Sequence, residues 1–355
     1  MKIIQVIPEF GLGGAETMCE TLTYGLKKYG HAVIAVSLFD YHSAITNRME
    51  NNGIDIRYMN KHSGLDLSMV FKLCKLFRKE KPDVIHTHRH VLQYVVPAAM
   101  LAGVKKRIHT IHNVATKENN KIGRIFNKIS FRICHVIPVA LSSIVRDTIT
   151  DEYGIKPHRV PIIFNGIDLT KCKKKDNYEI TDELKILHIG RFVDAKNHIG
   201  LLEAFLKFYK KYNKGELYLI GDGENRQFIE NYISDHDMQE HVHLLGQLGN
   251  VYEHLHEADI FTLPSLYEGV PMTLIEAMGT GLPIVASRVG GIPDMLDDGM
   301  AVLVDGSTES ICEGFERYYL DQDLRTAHGK AVLKRVDMFS MDAMTEKYIN
   351  VYLTK

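Results

Sequence analysis

Short apolar runs alternate along this chain with longer stretches whose apolar residues recur every three or four positions. In the first half the runs Lys2–Ile7, Ala32–Leu38, Asp55–Tyr58, Val84–His88, Lys106–Ile111 and His135–Val139 read as strands. Ala15–Tyr29 and Leu67–Lys79 carry helical spacing between them. The second half repeats the alternation. Lys185–Ile189, Glu216–Ile220, Val242–Leu244, Ile260–Leu263, Ile284–Ala286 and Ala301–Val304 read as strands. His198–Tyr212, Glu224–Ser234, Met272–Met278 and Thr308–Leu320 read as helices. Strands that alternate with helices imply an α/β chain of βαβ units, with parallel sheets covered on both faces. The stretch Leu169 to Glu179 is polar, charged and aperiodic, so it reads as a linker with a domain boundary near residue 170. From Met338 onward the chain again looks helical.

The length of 355 residues agrees with two domains, 1–170 and 171–337, and 45% apolar residues suffice for two cores. The charge is unevenly spread. Residues 1–170 carry 23 Lys and Arg against 14 Asp and Glu, whereas residues 171–355 carry 20 against 30. Such asymmetry fits either different partners for the two halves or two lobes that attract one another. The five cysteines are scattered and form no CxxC pair, which suggests a reduced, cytoplasmic chain with neither disulfide framework nor zinc site. The N-terminus reads as a strand rather than a signal peptide. The longest apolar run, Val95 to Val104, is far shorter than a membrane span and contains Pro97 and Gly103.

Residues 105–132 are strongly basic, with Lys105, Lys106, Arg107, Lys117, Lys121, Arg124, Lys128 and Arg132 against Glu118 alone. Ile122, Ile125, Phe126, Ile129 and Ile133 recur among them at helical spacing. Two readings stand side by side: peripheral contact with an anionic membrane surface, at the inner face of the cell membrane, or a helix packed on its own domain with a solvated basic face. Nucleic-acid binding fits poorly, because only one half is basic and few aromatics interleave the patch.

The most informative chemistry lies between Pro264 and Gly279. Glu268 and Glu276 stand eight positions apart with Gly269 and Pro271 between them. Pro271 suits the first position of a helix. The amides of Met272, Thr273 and Leu274 would then be free donors at a helix N-terminus, suited to phosphate or hydroxyl oxygens. Two carboxylates beside such a terminus provide acceptors for ribose and sugar hydroxyls. This segment resembles the Glu-x7-Glu signature of the family 4 retaining glycosyltransferases, enzymes with two Rossmann-like lobes facing a cleft (the GT-B architecture). Other segments resemble the same family in the same order. Gly190-Arg191 with Lys196-Asn197 resembles its diphosphate-gripping element, and two cations at a strand's carboxyl end suit a departing diphosphate. Gly221-Asp222-Gly223 resembles its Gly-x-Gly turn, although a plain tight turn explains it equally well. Leu244-Leu245-Gly246-Gln247-Leu248 follows the next strand and resembles a segment whose backbone pairs with the base edge. Gly290-Gly291-Ile292-Pro293-Asp294 resembles a further turn, with Asp294 where glutamate is usual.

In the first half, the loop with Gly11, Gly13 and Gly14 fails as a dinucleotide fingerprint, since Glu16 occupies the third glycine position. It resembles the family's Gly-Gly-Ala-Glu loop, which contacts donor phosphate and lies near the acceptor. His112 matches the family's cleft histidine beside the transferred sugar, and His88 is expected to line the acceptor side. The histidines at 86, 88 and 90 make a poor metal site.

The resemblance covers nearly the whole chain. It implies a GT-B enzyme that moves a sugar from a nucleoside-diphosphate sugar, a UDP-sugar by family habit, to an acceptor hydroxyl with retention. The implied setting is bacterial exopolysaccharide, capsule or O-antigen assembly on a lipid carrier, with a glycan or lipid-linked glycan as acceptor. Arg191, Lys196, Glu268 and His112 would act at the reacting centre. Gly13, Gly14, Gly190, Gly246, Val270, Met272, Thr273 and Glu276 would bind the donor, with Glu16 and His88 on the acceptor side. No metal or other cofactor is expected, because two cations and a helix dipole can stabilise the leaving group. The last helix, 338–355, would cross back to the first lobe. A glycoside phosphorylase, a sugar-nucleotide epimerase and a non-catalytic sugar-nucleotide binding protein are the competing readings.

Overall fold

The computed structural model describes residues 1–354. It divides into two compact units, Met1–Ile167 with the chain from Phe339 onward, and Asp168–Met338. In the first unit the strands are β1 (Lys2–Ile7), β2 (Ala32–Ser37), β3 (Asp55–Tyr58), β4 (Val84–His88), β5 (Lys106–Ile111) and β6 (Ile137–Ala140). They form one parallel sheet in the order β3-β2-β1-β4-β5-β6. The second unit holds β7 (Lys185–Ile189), β8 (Glu216–Ile220), β9 (Val242–Gly246), β10 (Ile260–Leu263), β11 (Ile284–Ser287) and β12 (Val302–Val304). Their order is β12-β11-β10-β7-β8-β9, again all parallel. Each sheet is doubly wound, and its order reverses at one central pair: β1 beside β4, and β7 beside β10. Helices diverge to opposite faces at such a pair, which opens a crevice at the strands' carboxyl ends.

Helices cover both faces, so the central strands are buried and rich in Ile and Val. Every residue of β4 and of β10 is buried. In the first unit, Leu73 and Phe77 of the Ser68–Glu80 helix pack with Val95, Ala98 and Ala99 of the Leu92–Leu101 helix. The apolar run around Pro97 is thus a core helix, with the proline on its exposed side. In the second unit, Phe205 and Phe208 meet Phe315 and Tyr318 over the sheet. No helix among the described residues is long and apolar enough to cross a membrane.

The last helix, Met341–Leu353, packs on the first unit. Its Tyr348 hydroxyl lies 2.8 Å from the Thr110 hydroxyl, and its Tyr352 hydroxyl lies 2.8 Å from His86 Nδ1. Lys28 also bonds Asp342 at 2.7 Å.

Three local expectations need correction. Strand β6 starts at Ile137, because His135 takes a left-handed backbone (φ 52°) that no extended strand accommodates. The polar stretch after Leu169 is not a free linker. Cys172 and Tyr178 are buried, the Lys175 N–H donates to the Thr280 carbonyl, and the Tyr178 hydroxyl donates to the Gly281 carbonyl. The helix Gln322–Arg335 has no counterpart in the apolar spacing. Its Asp321 cap accepts from the Leu324 N–H at 2.8 Å, and its buried Arg325 donates to the Tyr178 carbonyl.

Candidate functional site

The second unit gathers most of the anticipated donor residues at the β7–β10 switch point. After β7 the chain turns through Gly190 and Arg191 into a short 3-10 turn, Asp194–Lys196. After β10 it runs through Ser265 and Glu268 to the Met272–Thr280 helix. The two loops meet: Lys196 Nζ lies 2.5 Å from Glu268 Oε1, which also accepts from the Ser265 hydroxyl at 2.8 Å. Both side chains are largely buried, at 17% and 10% exposure, so each charge depends on the other for compensation. Arg191 is exposed and forms no ion pair among the described residues. It therefore offers a cation without an ion-pair partner on the loop that also carries Lys196.

Neighbouring turns fix these loops. Gly221 has φ 142°, and a side-chain carbon there would stand 1.9 Å from the Gly190 carbonyl oxygen. The Gly190 N–H donates to the Ile220 carbonyl, and the Phe192 N–H to the Asp222 carbonyl. The Gly-Asp-Gly turn therefore supports the Arg191 loop. Gly290, at φ 56°, would bring a side-chain carbon 1.7 Å from the Glu268 carbonyl oxygen, so the Gly290-Gly291 turn lies directly against the Glu268 loop. Gly246 closes β9 with φ 69°, and its carbonyl accepts from the Gly221 N–H at 2.8 Å.

Pro271 is the residue before the helix rather than its first position, with ψ 124°. The consequence for the site is small. Met272, Thr273 and Leu274 remain the first three helical residues, whose amides have no intrahelical acceptor. Val270 and Met272 are buried, and Thr273 is half-buried. Glu276 lies in the next turn. Burial pushes its carboxyl up to about 7, against the Tyr252 hydrogen bond and the Lys171 charge. Tyr252, on the Tyr252–Glu257 helix, was not singled out from sequence. A tyrosine in an ordinary helical pattern carries no signal that it will bond a distant carboxylate.

The first unit assembles a second cluster at its own switch point. Gly13 precedes the Gly14–Lys28 helix in an extended conformation. Glu16, in that helix's first turn, folds back until a side-chain carbon on Gly13 would meet its Oε2. Glu16 is only 3% exposed and is ion-paired with Arg89. Arg89 follows β4 in a left-handed conformation, φ 57°, the kind of strained position that clusters at functional sites. Its sequence neighbourhood was conspicuous for histidine, which hid the arginine. Glu118 accepts from the Asn113 N–H at 3.1 Å, and burial raises its carboxyl to about 7.

His88 does not line an open surface. It is fully buried, because β4 is covered on both faces. It acts instead on His112. The Gln5 amide nitrogen donates to Thr23 Oγ1 at 2.6 Å and faces the Cys19 carbonyl, so its Oε1 points at His88 Nε2, 2.9 Å away. His88 Nε2 must then donate. Burial holds the His88 imidazole well below its ordinary range, so Nδ1 is left as an acceptor for His112 Nε2 at 3.1 Å. Burial, then the Arg89 charge, lowers His112 to about 3. His112 is therefore neutral, carries its proton on Nε2, and keeps Nδ1 as an acceptor. NMR of isotope-labelled histidine should show this tautomer at neutral pH, and His88→Leu should release His112 to a mixture. The opposite tautomer in the parent would contradict the chain of bonds. His86 uses both ring nitrogens on Tyr352 and Thr110, so the pair His86 and His88 has no lone pair left for a metal.

Against this geometry, comparison with known proteins is informative. The family model "Glycosyl transferases group 1" matches residues 171–335, and "Glycosyltransferase Family 4" matches residues 12–171. Among curated relatives, the chain is 31% identical over 246 residues to the Escherichia coli UDP-Gal:alpha-D-GlcNAc-diphosphoundecaprenol alpha-1,3-galactosyltransferase, covering 64% of this chain and 63% of that protein. It is 26% identical to the Staphylococcus aureus capsular polysaccharide biosynthesis glycosyltransferase CapH, covering 81% of this chain and 82% of that one. Among solved structures, Anabaena HepE in complex with UDP and glucose superposes with a TM-score of 0.87 over the full length of both chains, at 16% identity. WaaG, a glycosyltransferase of lipopolysaccharide biosynthesis, superposes with a TM-score of 0.77 at 14% identity. The two family models adjoin at residue 171 and together span residues 12–335, and the two doubly wound parallel sheets have the fold of these solved structures: the chain belongs to the family 4 glycosyltransferases and has the GT-B architecture.

Proposed function

We propose that this glycosyltransferase moves a sugar from a UDP-sugar to an acceptor hydroxyl, with retention at the anomeric carbon, during assembly of a bacterial surface polysaccharide on a lipid carrier. The observation that carries this reading is the joined loop pair of the second unit. Lys196 is held against Glu268, beside the exposed Arg191 and the open amides of Met272 to Leu274. Two cations and a helix N-terminus suit a diphosphate that gains charge as it leaves. Glu276 accepts from the ribose hydroxyls. Glu268 and the amides after Gly269 hold the transferred sugar; in the first unit, His112 Nδ1 is an acceptor suited to a sugar hydroxyl. The acceptor oxygen attacks the anomeric carbon on the face that the diphosphate leaves. The carbon–phosphate-oxygen bond breaks, and the acceptor's proton passes to a diphosphate oxygen. UDP and a diphosphoundecaprenol acceptor are taken from what the relatives' names describe.

The test is a panel of nucleotide sugars with and without lipid-diphosphate acceptors, read by nucleotide release and by mass and NMR of the product. Release of UDP coupled to an α-linked product from an α-linked donor supports the proposal. Turnover that requires inorganic phosphate, or product formed without acceptor, would favour a phosphorylase or an epimerase instead.

A further inference from the structure

The helix Lys121–Arg132 is turned the wrong way round for a soluble protein. Its buried positions are Asn127, Ser130 and Phe131, whereas Ile122, Ile125, Phe126, Ile129 and Ile133 are 66%, 60%, 45%, 43% and 69% exposed. These five share one face, since they recur at three- and four-residue steps. The inward polar residues are accommodated: the Asn127 side-chain amide donates to the Tyr153 hydroxyl at 3.3 Å. The helix is anchored by its polar side and presents its apolar side outward. An apolar stripe of this size on a folded domain marks an interaction surface.

Charge identifies the occupant. Lys121, Lys128 and Arg132 flank the stripe, are exposed, and have no carboxylate partner among the described residues; only Arg124 is offset, by Glu152 at 3.2 Å. A protein partner could cover the isoleucines, but a row of unpaired cations beside them calls for an extended anionic plane. An apolar stripe edged with lysine and arginine is the arrangement that lies in the interface of a bilayer, with the side chains among acyl chains and the cations at phosphate level. We propose that this helix docks the first unit on an anionic phospholipid membrane. The helix shares no residue with the Gln5–His88–His112 chain or with the Lys196–Glu268 pair, so docking and donor binding can fail independently.

Flotation of the full chain with vesicles tests the assignment. It should float with phosphatidylglycerol–phosphatidylcholine vesicles, remain behind with phosphatidylcholine alone, and be released by raised salt. Ile125→Ser with Ile129→Ser, and separately Lys121→Glu with Lys128→Glu, should each weaken partition by about tenfold or more. All four positions are exposed, so the melting curve and UDP binding should stay at parental values. Absence of flotation with anionic vesicles would overturn the proposal. So would equal binding to both lipids, or binding indifferent to both double variants. Concentration-dependent self-association lost in the isoleucine variant would reassign the stripe to a second copy of the chain.

Discussion

Lys196→Ala is expected to lower kcat/KM by a factor of about 10² to 10³ while the fold survives, because in the proposed reaction Lys196 faces the leaving diphosphate, where charge develops. The substitution has a second effect that must be separated from the first. Lys196 is the cation that compensates Glu268, and both are largely buried. Removing one partner leaves the other's charge unpaired, which destabilises the protein even if catalysis is untouched. The double variant Lys196→Ala with Glu268→Gln resolves this. It carries no orphan charge, so its melting temperature should return toward the parental value while turnover stays low. Activity of Lys196→Ala within about twofold of the parent would remove Lys196 from the chemistry, since even one lost oxyanion donor costs far more. Recovery of turnover in the double variant would show that the lysine acts only by keeping the Glu268 loop in place.

Glu276→Gln should act in opposite directions on stability and on nucleotide affinity. Burial raises the folded carboxyl from its ordinary 4.5 to about 7. The folded chain thus holds this proton more tightly than the unfolded chain. The linked stabilisation is fully present below about 4.5, shrinks as pH rises, and is gone above about 7. Glutamine carries no such dependence. The variant's thermal advantage should therefore be absent in acid, grow across this interval and level off above it, with a ceiling of roughly 3 kcal/mol. UDP affinity should fall by about tenfold to a hundredfold at the same time, since the proposed function makes Glu276 an ionised acceptor for ribose hydroxyls. Calorimetry at mildly alkaline pH reads both quantities on one sample. Unchanged UDP affinity would place the ribose elsewhere, and a pH-independent difference in melting temperature would mean that Glu276 is not held protonated by its surroundings.

Much of the candidate site could be read from residue order because its parts are local. A glycine after a strand, two cations on the next loop, and two carboxylates around a helix start are each contained in a few consecutive residues. The sheet architecture was legible for a similar reason, since apolar, mostly β-branched runs of three to six residues can be recognised one by one. The errors arose where a residue's role depends on what covers it. His88 reads from sequence as a residue lining the acceptor side because alternation along a strand indicates one face or the other, not whether that face is open. Tyr252 and Arg89 went unremarked because their partners, Glu276 and Glu16, belong to other elements. The basic helix allowed two readings, and only its seating decided which side faces out.

The sequence by itself determined the class of enzyme and marked the candidate groups for its chemistry: Glu268, Glu276, Arg191 and Lys196, each at a strand's carboxyl end or a helix start, with the glycines that let those loops turn. Local propensity and side-chain type suffice for that, because they act within a few residues. Only the tertiary structure decided how the groups are coupled. It paired Lys196 with Glu268, buried His88 so that Gln5 sets the tautomer of His112, and turned four apolar side chains of the Lys121–Arg132 helix, with Ile133 just after it, toward solvent. Burial and pairing are properties of distant segments brought together, and they set charge state and exposure more strongly than the identity of any residue does.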